Sequence, residues 1–221
     1  KVIQTKTQLK FGSGVSLETI KNACKKQYPA VYKMLAVFGS KQIRNLATLG
    51  GNLGSASPIG DMPPVLMAYN ASLILTGTKG KRKVSLYDFI TGYRSTVLKR
   101  DEIIHEISLP IPNQISRVSS YKVSKRKDLD ISTVSGGFHL ELSTDNKVRS
   151  IHLNYGGMAA MTKNAANAEG YLKGKTWTRE NVEKAMEIME ADFAPISDAR
   201  SGEKARMIMA KNLLMKFWTE N

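Results

Sequence analysis

Four glycines and five short polar side chains crowd the run from Thr48 to Asp61, Thr-Leu-Gly-Gly-Asn-Leu-Gly-Ser-Ala-Ser-Pro-Ile-Gly-Asp. Glycine lets another group approach the backbone. A phosphate-bearing ligand is held best where several N–H groups point at one place. Thr48, Asn52, Ser55 and Ser57 add hydroxyl and amide groups on short arms, suited to sugar hydroxyls or phosphate oxygens, and Asp61 adds one carboxylate for a hydroxyl or ring-edge donor. The run lacks the Gly-x-Gly-x-x-Gly of a dinucleotide-binding turn and the closing Lys-Ser/Thr of a P-loop. On composition it is either a cofactor cradle or a glycine-rich structural loop, and both readings stay open at this level.

The elements that must position this run follow from hydrophobic spacing. Residues 7–15 read as a strand and turn around Gly12 and Gly14, and Ser16 reads as the N-cap of a helix carrying Ile20 and Ala23. Pro29 opens a second helix with Val31, Leu35 and Phe38 on one face, ended by Gly39. Residues 40–61 are expected to be neither helix nor regular strand. Pro63-Pro64 starts a short helix over 65–69. A hairpin over 72–76 and 83–86, a short helix over 87–93 and a strand over 102–109 follow. Pro110-Ile-Pro112 reads as a linker. Beyond it come strands at 119–125, 133–142 and 148–155, then helices at 162–172, 178–190 and 203–220. This predicts an α+β chain, with residues 1–113 as one domain and 117–221 as a second, a three-stranded antiparallel sheet packed with helices.

The bulk numbers narrow the function classes. The chain has 221 residues, 42% hydrophobic and 24% charged, enough for a real core. No apolar run reaches the roughly 18 residues of a membrane span. One cysteine, Cys24, excludes an intrachain disulfide and an all-cysteine cluster within this sequence, and a reducing cytoplasm is the expected setting. His105, His139 and His152 show no metal-ligand spacing, so no metal site is expected. The net charge of +14 favours phosphates or acidic surfaces. No aromatic-interleaved basic stripe accompanies it, so nucleic acid is not the expected ligand. A basic, non-enzymatic binding module remains the alternative of another class.

The order of residues says more. Phe38-Gly-Ser-Lys-Gln-Ile-Arg-Asn-Leu-Ala-Thr-Leu-Gly-Gly-Asn-Leu-Gly-Ser-Ala-Ser-Pro-Ile-Gly-Asp61, Asp88-Phe-Ile-Thr-Gly-Tyr-Arg94, Glu102-Ile-Ile, Tyr121-Lys-Val-Ser-Lys-Arg-Lys-Asp-Leu-Asp-Ile131 and Phe193-Ala-Pro-Ile-Ser-Asp-Ala-Arg200 occur in that order. Together they resemble the FAD-binding flavoprotein of the molybdenum hydroxylases, on the side of the xanthine dehydrogenases. The resemblance covers nearly the whole chain. It implies the second lobe of a two-lobed, PCMH-type FAD-binding domain followed by a flavoprotein C-terminal domain of the CO dehydrogenase kind.

By that resemblance, Phe38 and Gly39 flank the cofactor, and Thr48, Gly50, Gly51 and Asn52 form a backbone cradle assisted by Ser55 and Ser57. Asp61 bonds the cofactor, Ile104 packs near it, and Lys122 approaches the flavin from the following domain, where a cation favours the anionic reduced form. Tyr93 lies on the side of the nicotinamide nucleotide. No catalytic acid–base pair is implied. The implied work is electron transfer in purine catabolism: from 2Fe-2S clusters and a molybdopterin centre on other domains or chains, through FAD, to NAD or another acceptor. A carbon monoxide, nicotinate or aldehyde-type hydroxylase is the sister reading. The family's earlier glycine-rich loop has no counterpart here. The resemblance therefore implies that these residues form one wall of the site and alone hold FAD less firmly than an intact two-lobed site. Asp128-Leu-Asp130 also departs from relatives that carry more acidic residues there, which bears on nucleotide access.

Overall fold

The computed structural model describes residues 1–127 and 129–221; Asp128, singled out above for its charge, lies outside the described residues. The first half runs β1 (Val2–Gln4), β2 (Gln8–Gly12), α1 (Leu17–Cys24), α2 (Pro29–Ala36), α3 (Lys41–Leu46), α4 (Leu49–Gly54), α5 (Met62–Ala68), β3 (Ser72–Gly77), β4 (Gly80–Ser85), α6 (Leu86–Phe89), β5 (Ile90–Gly92), β6 (Ser95–Thr96) and β7 (Ile103–Pro110). The second half runs β8 (Arg117–Val123), β9 (Val134–Leu142), β10 (Val148–Gly156), β11 (Lys163–Asn164), α7 (Ala166–Leu172), α8 (Arg179–Ile188) and α9 (Glu203–Thr219).

Local chemistry sets many of these starts. The Ser16 hydroxyl accepts the Thr19 N–H at 3.3 Å and caps α1. Pro29 occupies the first turn of α2, where its missing N–H costs nothing. Residues 40–61 depart from the expectation of irregular chain: they hold α3 and α4. Ser40 caps α3 through the Ile43 N–H at 3.2 Å, and Thr48 caps α4 through the Gly51 N–H at 3.1 Å. Glycine disfavours helix by about 1 kcal/mol per residue, but α4 is fixed from outside. Gly50 donates to the Ser13 carbonyl at 3.0 Å, and a Cβ on it would stand 2.6 Å from Ser13 Cβ. Only a bare backbone fits against Ser13, so tertiary contact overrides propensity. The helix expected over 87–93 likewise shortens to α6 and gives way to the β5–β6 hairpin.

The first sheet is antiparallel throughout, in the order β1-β2-β7-β3-β4. Its inner face carries Leu9, Phe11, Leu73, Leu75, Ile107 and Leu109, packed in one core with side chains of α1, α2, α4 and α5. Cys24 sits in that core, fully buried, and burial pushes its thiol up to about 12. The second sheet has the order β11-β10-β9-β8; the two-residue β11 adds an edge to the three strands expected. One of its faces carries Phe138, Leu140, Leu153 and Tyr155 against Ala168, Leu172, Val182, Leu214 and Phe217 of α7, α8 and α9. No described helix is long and apolar enough to cross a membrane.

The two halves meet across α5. Every residue from Met62 to Ala68 is buried, as a helix without a polar face requires. One side of α5 faces the first core, and the other packs on β9 and β10. Strand β9 is accordingly buried on both faces through Leu140. At the crossing stands Gly137, where any Cβ would overlap the Pro64 carbonyl and the Val65 nitrogen. A buried leucine or methionine is worth about 1.5–3 kcal/mol, so lifting α5 from β9 exposes several such contributions at once. The expected effect of Gly137→Ala is a loss of about 3 kcal/mol or more in unfolding free energy. Urea denaturation measures it, and a variant within about 1 kcal/mol of wild type contradicts this packing.

Candidate functional site

A cavity of about 660 Å³ opens where the α2–α3 turn, the 57–61 loop, the β5–β6 turn and the 129–132 loop converge. That volume lies in the range of small-molecule and cofactor sites. Seven of the residues read from sequence line it: Phe38, Gly39, Asn52, Ser57, Asp61, Tyr93 and Lys122. They come from both halves of the chain, so the site depends on the two halves being docked against each other.

The Phe38–Gly39 turn is held from below. Gly39 has φ +53°, the left-handed region that favours glycine. Arg44 donates to the carbonyls of Phe38 at 3.1 Å and Gly39 at 2.9 Å, while its Nε reaches Glu18 at 2.6 Å. Hydrogen bonding from Arg44, with Lys21 beside it, keeps the Glu18 carboxyl below its usual range. Arg44 has no sequence signal of its own, because its partners lie on α1 and on the backbone of the 38–39 turn.

Asp61 is 5% exposed and is gripped from the second half of the chain. Lys122 Nζ donates to Oδ2 at 2.7 Å, and the Ser132 hydroxyl donates to Oδ1. The side chains of Lys122 and Asp61 are 7% and 6% exposed, so this is a buried pair. Lys122 therefore does not stand as an isolated cation: its charge reaches the cavity paired. The Gly157 N–H adds a further tie, donating to the Pro58 carbonyl at 2.7 Å.

The other expected residues sit beside the cavity instead of on its wall. The N–H groups of Gly50, Gly51 and Asn52 are engaged by the Ser13 carbonyl, the Thr48 hydroxyl and the Thr48 carbonyl. A tertiary contact, the N-cap and one intrahelical bond thus hold these three donors within the chain. What α4 presents is a surface nearly bare of side chains, with Gly51, Gly54 and Ser55 exposed. The Ser55 hydroxyl donates to the Asn52 carbonyl at 2.8 Å. Ile104 lies under this surface, its Cδ1 3.7 Å from where a Gly54 Cβ would be. Asn52 Oδ1 differs from all of these. It is buried and has no partner among the described residues, an acceptor whose desolvation goes uncompensated unless a donor arrives.

Across the cavity, Tyr93 is 65% exposed at the β5–β6 turn, with the Arg94 guanidinium 5.9 Å from its ring centroid. Leu129 and Ile131, 57% and 48% exposed, present an apolar rim. The Arg126 N–H, 2.9 Å from Asp130, holds that carboxyl below its usual range. Lys122, Arg94 and Arg200 face Asp61 and Asp130 among the lining residues, leaving one positive charge in excess. Arg94, Ser132 and Arg200 were not singled out from sequence; they are distributed over three loops without common spacing. Of the three histidines, His139 and His152 stack with ring centroids 5.4 Å apart on β9 and β10, and His105 lies on β7 of the other sheet.

Comparison with known proteins places these observations. The FAD binding domain in molybdopterin dehydrogenase matches residues 1–112, and the CO dehydrogenase flavoprotein C-terminal domain matches residues 119–221. The xanthine dehydrogenase of Emericella nidulans is 36% identical over 198 residues, which is 84% of this chain and 14% of that protein. The xanthine dehydrogenase/oxidase of Gallus gallus is 32% identical over 209 residues, 88% of this chain and 15% of that protein. The chain thus spans about one seventh of the length of these relatives. Carbon monoxide dehydrogenase from Hydrogenophaga pseudoflava superposes with a TM-score of 0.92 at 22% identity, covering 98% of this chain and 75% of that chain. Quinoline 2-oxidoreductase from Pseudomonas putida 86 gives 0.88 at 24%, covering 100% and 76%. At such identities the structural likeness shows the fold. The family matches, which take in both halves of the sequence, show more: the chain belongs to the FAD-binding flavoproteins of the molybdenum hydroxylases.

Proposed function

We propose that this chain forms one wall of an FAD site and conducts electrons from iron–sulfur clusters elsewhere in a xanthine dehydrogenase-type enzyme to NAD or another acceptor. The carrying observation is the cavity that Phe38, Gly39, Asn52, Asp61, Tyr93 and Lys122 line together, with the buried, unpartnered Asn52 Oδ1 beside it. When bound, the flavin supplies the redox chemistry, and the chain binds and orients it. Asn52 Oδ1 takes a donor from the cofactor, and the Ser57 hydroxyl stands on the same wall. The bare face of Gly51 and Gly54 gives close approach over Ile104, with Thr48, Gly50 and Ser55 fixing α4 in place. Phe38 and Gly39 bound the site on one side. The Asp61–Lys122 pair sets a fixed dipole at its floor. The exposed Tyr93 ring receives the planar group of the acceptor.

Residues 1–113 serve in this reading as the lobe that contacts FAD, and 117–221 as the domain that closes the floor. Purine catabolism and a cytoplasmic setting belong to the same proposal. A second reading is a hydroxylase acting on another substrate. It draws on 31% identity, over 95% of this chain, to a nicotinate hydroxylase of Emericella nidulans. The hydroxylated substrate meets the molybdenum centre and not these residues, so both readings share the flavin wall.

Titrating FAD into the protein tests the common part. The expected complex is yellow, with the absorbance bands of bound oxidised flavin, and Asn52→Leu weakens it by about tenfold, the worth of one buried hydrogen bond. A protein that takes up no FAD rejects the reading. The buried pair gives a second prediction. Asp61→Asn or Lys122→Met alone is expected to cost about 3–5 kcal/mol, because each strands a buried charge. The double variant should lose less than the sum by about 1–3 kcal/mol. Urea midpoints for the four proteins measure the coupling, and strict additivity contradicts the pair.

A further inference from the structure

Arg206 lies on α9, away from the cavity lining, yet it is 1% exposed and carries a full charge. A buried guanidinium is costly unless its donors are placed; its Nη donors go to three separate loops, while Nε has no partner among the described residues. Nη1 donates to the carbonyls of Thr133 and Gly157, the latter at 3.1 Å, and Nη2 donates to Asp198 Oδ1 at 2.8 Å. Each acceptor adjoins a piece of the cavity. Thr133 follows Ser132, which grips Asp61. Gly157 donates its own N–H to Pro58, which lines the cavity together with Ile59 and Gly60. Asp198 Oδ1 also accepts the N–H groups of Arg200 at 2.9 Å and Ser201 at 3.1 Å, and Arg200 lines the cavity.

The backbone is shaped to let the guanidinium in. Gly157 has φ +81°, and a Cβ there would overlap the Thr133 carbonyl and stand 3.1 Å from Arg206 Nη1. Ammonium chemistry does not substitute: a lysine offers one point of charge, whereas the planar fork of arginine spans several acceptors at once.

We propose that Arg206 is a positioning residue for the flavin wall, clamping the 57–60, 129–133 and 196–202 loops in one fixed arrangement around the cavity. The proposal rests on the FAD reading above for what the arrangement serves, while the clamp itself is a property of the free protein. The clamp is built to stay charged. Burial opposes ionisation of Asp198, but the Arg200 and Ser201 N–H groups and the Arg206 guanidinium bring its carboxyl down to about 2. A depressed carboxyl contributes fully above its unfolded value, roughly 4, and the contribution is lost progressively as pH falls from there through the folded value.

Hydrogen exchange on the full chain tests the clamp, using Arg206→Met and, as control, Leu214→Ala. Leu214 is fully buried on the same helix and belongs to the core beneath the second sheet. Each variant is compared with wild type brought to the same unfolding free energy by urea. Arg206→Met is expected to lose at least tenfold protection at the Gly157 and Thr133 amides, and Leu214→Ala to match its reference. Equal protection in Arg206→Met and its reference overturns the proposal. Should Arg206→Met not fold, Arg206→Lys is read by the same criterion, since it keeps a charge beside Asp198 but cannot reach all three loops. FAD titration supplies the second arm: at least tenfold weaker binding in the Arg206 variants and unchanged binding in Leu214→Ala. Unchanged FAD affinity in the Arg206 variants overturns positioning. Failure of wild type to take up FAD overturns the flavin reading instead, and exchange still decides whether the clamp exists.

Discussion

A helix with no polar face must be enclosed on all sides, and α5 is enclosed by two sheets. From that requirement much of the architecture follows. The first sheet and its helices cover one side of Met62–Ala68, and β9 and β10 cover the other. The approach is close enough that β9 needs Gly137 where Pro64 passes. Docking through a shared helix packs the two halves of the chain against each other along this seam.

The cavity is a consequence of that seam. The 57–61 loop leads directly into α5, so fixing the helix fixes the loop that carries Ser57 and Asp61. The second half then reaches back with Lys122, Ser132 and Gly157. Polar contacts at the edge of an apolar junction add direction to an attachment that hydrophobic burial supplies without direction. Here they aim the loop at the cavity, and the electrostatic character of the floor is that of a paired dipole, not of a lone cation.

What the sequence made legible had short range. Ser16 and Pro29 announced helix starts because capping and proline geometry act within one turn. The three long strands of the second sheet and the helices after them were visible in their periodicity. Asn52 and Asp61 were legible as short polar groups in a glycine-rich run, and Phe38 and Lys122 only through the ordered resemblance. The helix at 49–54 was hidden, because glycine propensity points away from helix and the stabilising partner, Ser13, lies more than thirty residues upstream. Arg44 and Arg206 were hidden for a related reason. Each acts on backbone carbonyls, and a carbonyl carries no residue identity that a sequence can display.

The burial of Cys24 has a practical side. It is the only cysteine of the chain, it lies in the first core, and its thiol is pushed up to about 12. Thiolate, not thiol, reacts with maleimides and spin-label reagents, and burial both disfavours the thiolate of Cys24 and screens its sulfur from them. A single cysteine introduced at an exposed position such as Lys79 on the β3–β4 turn becomes the sole attachment point. Distances from there to a ligand in the cavity can then be measured without first removing a native residue from the core.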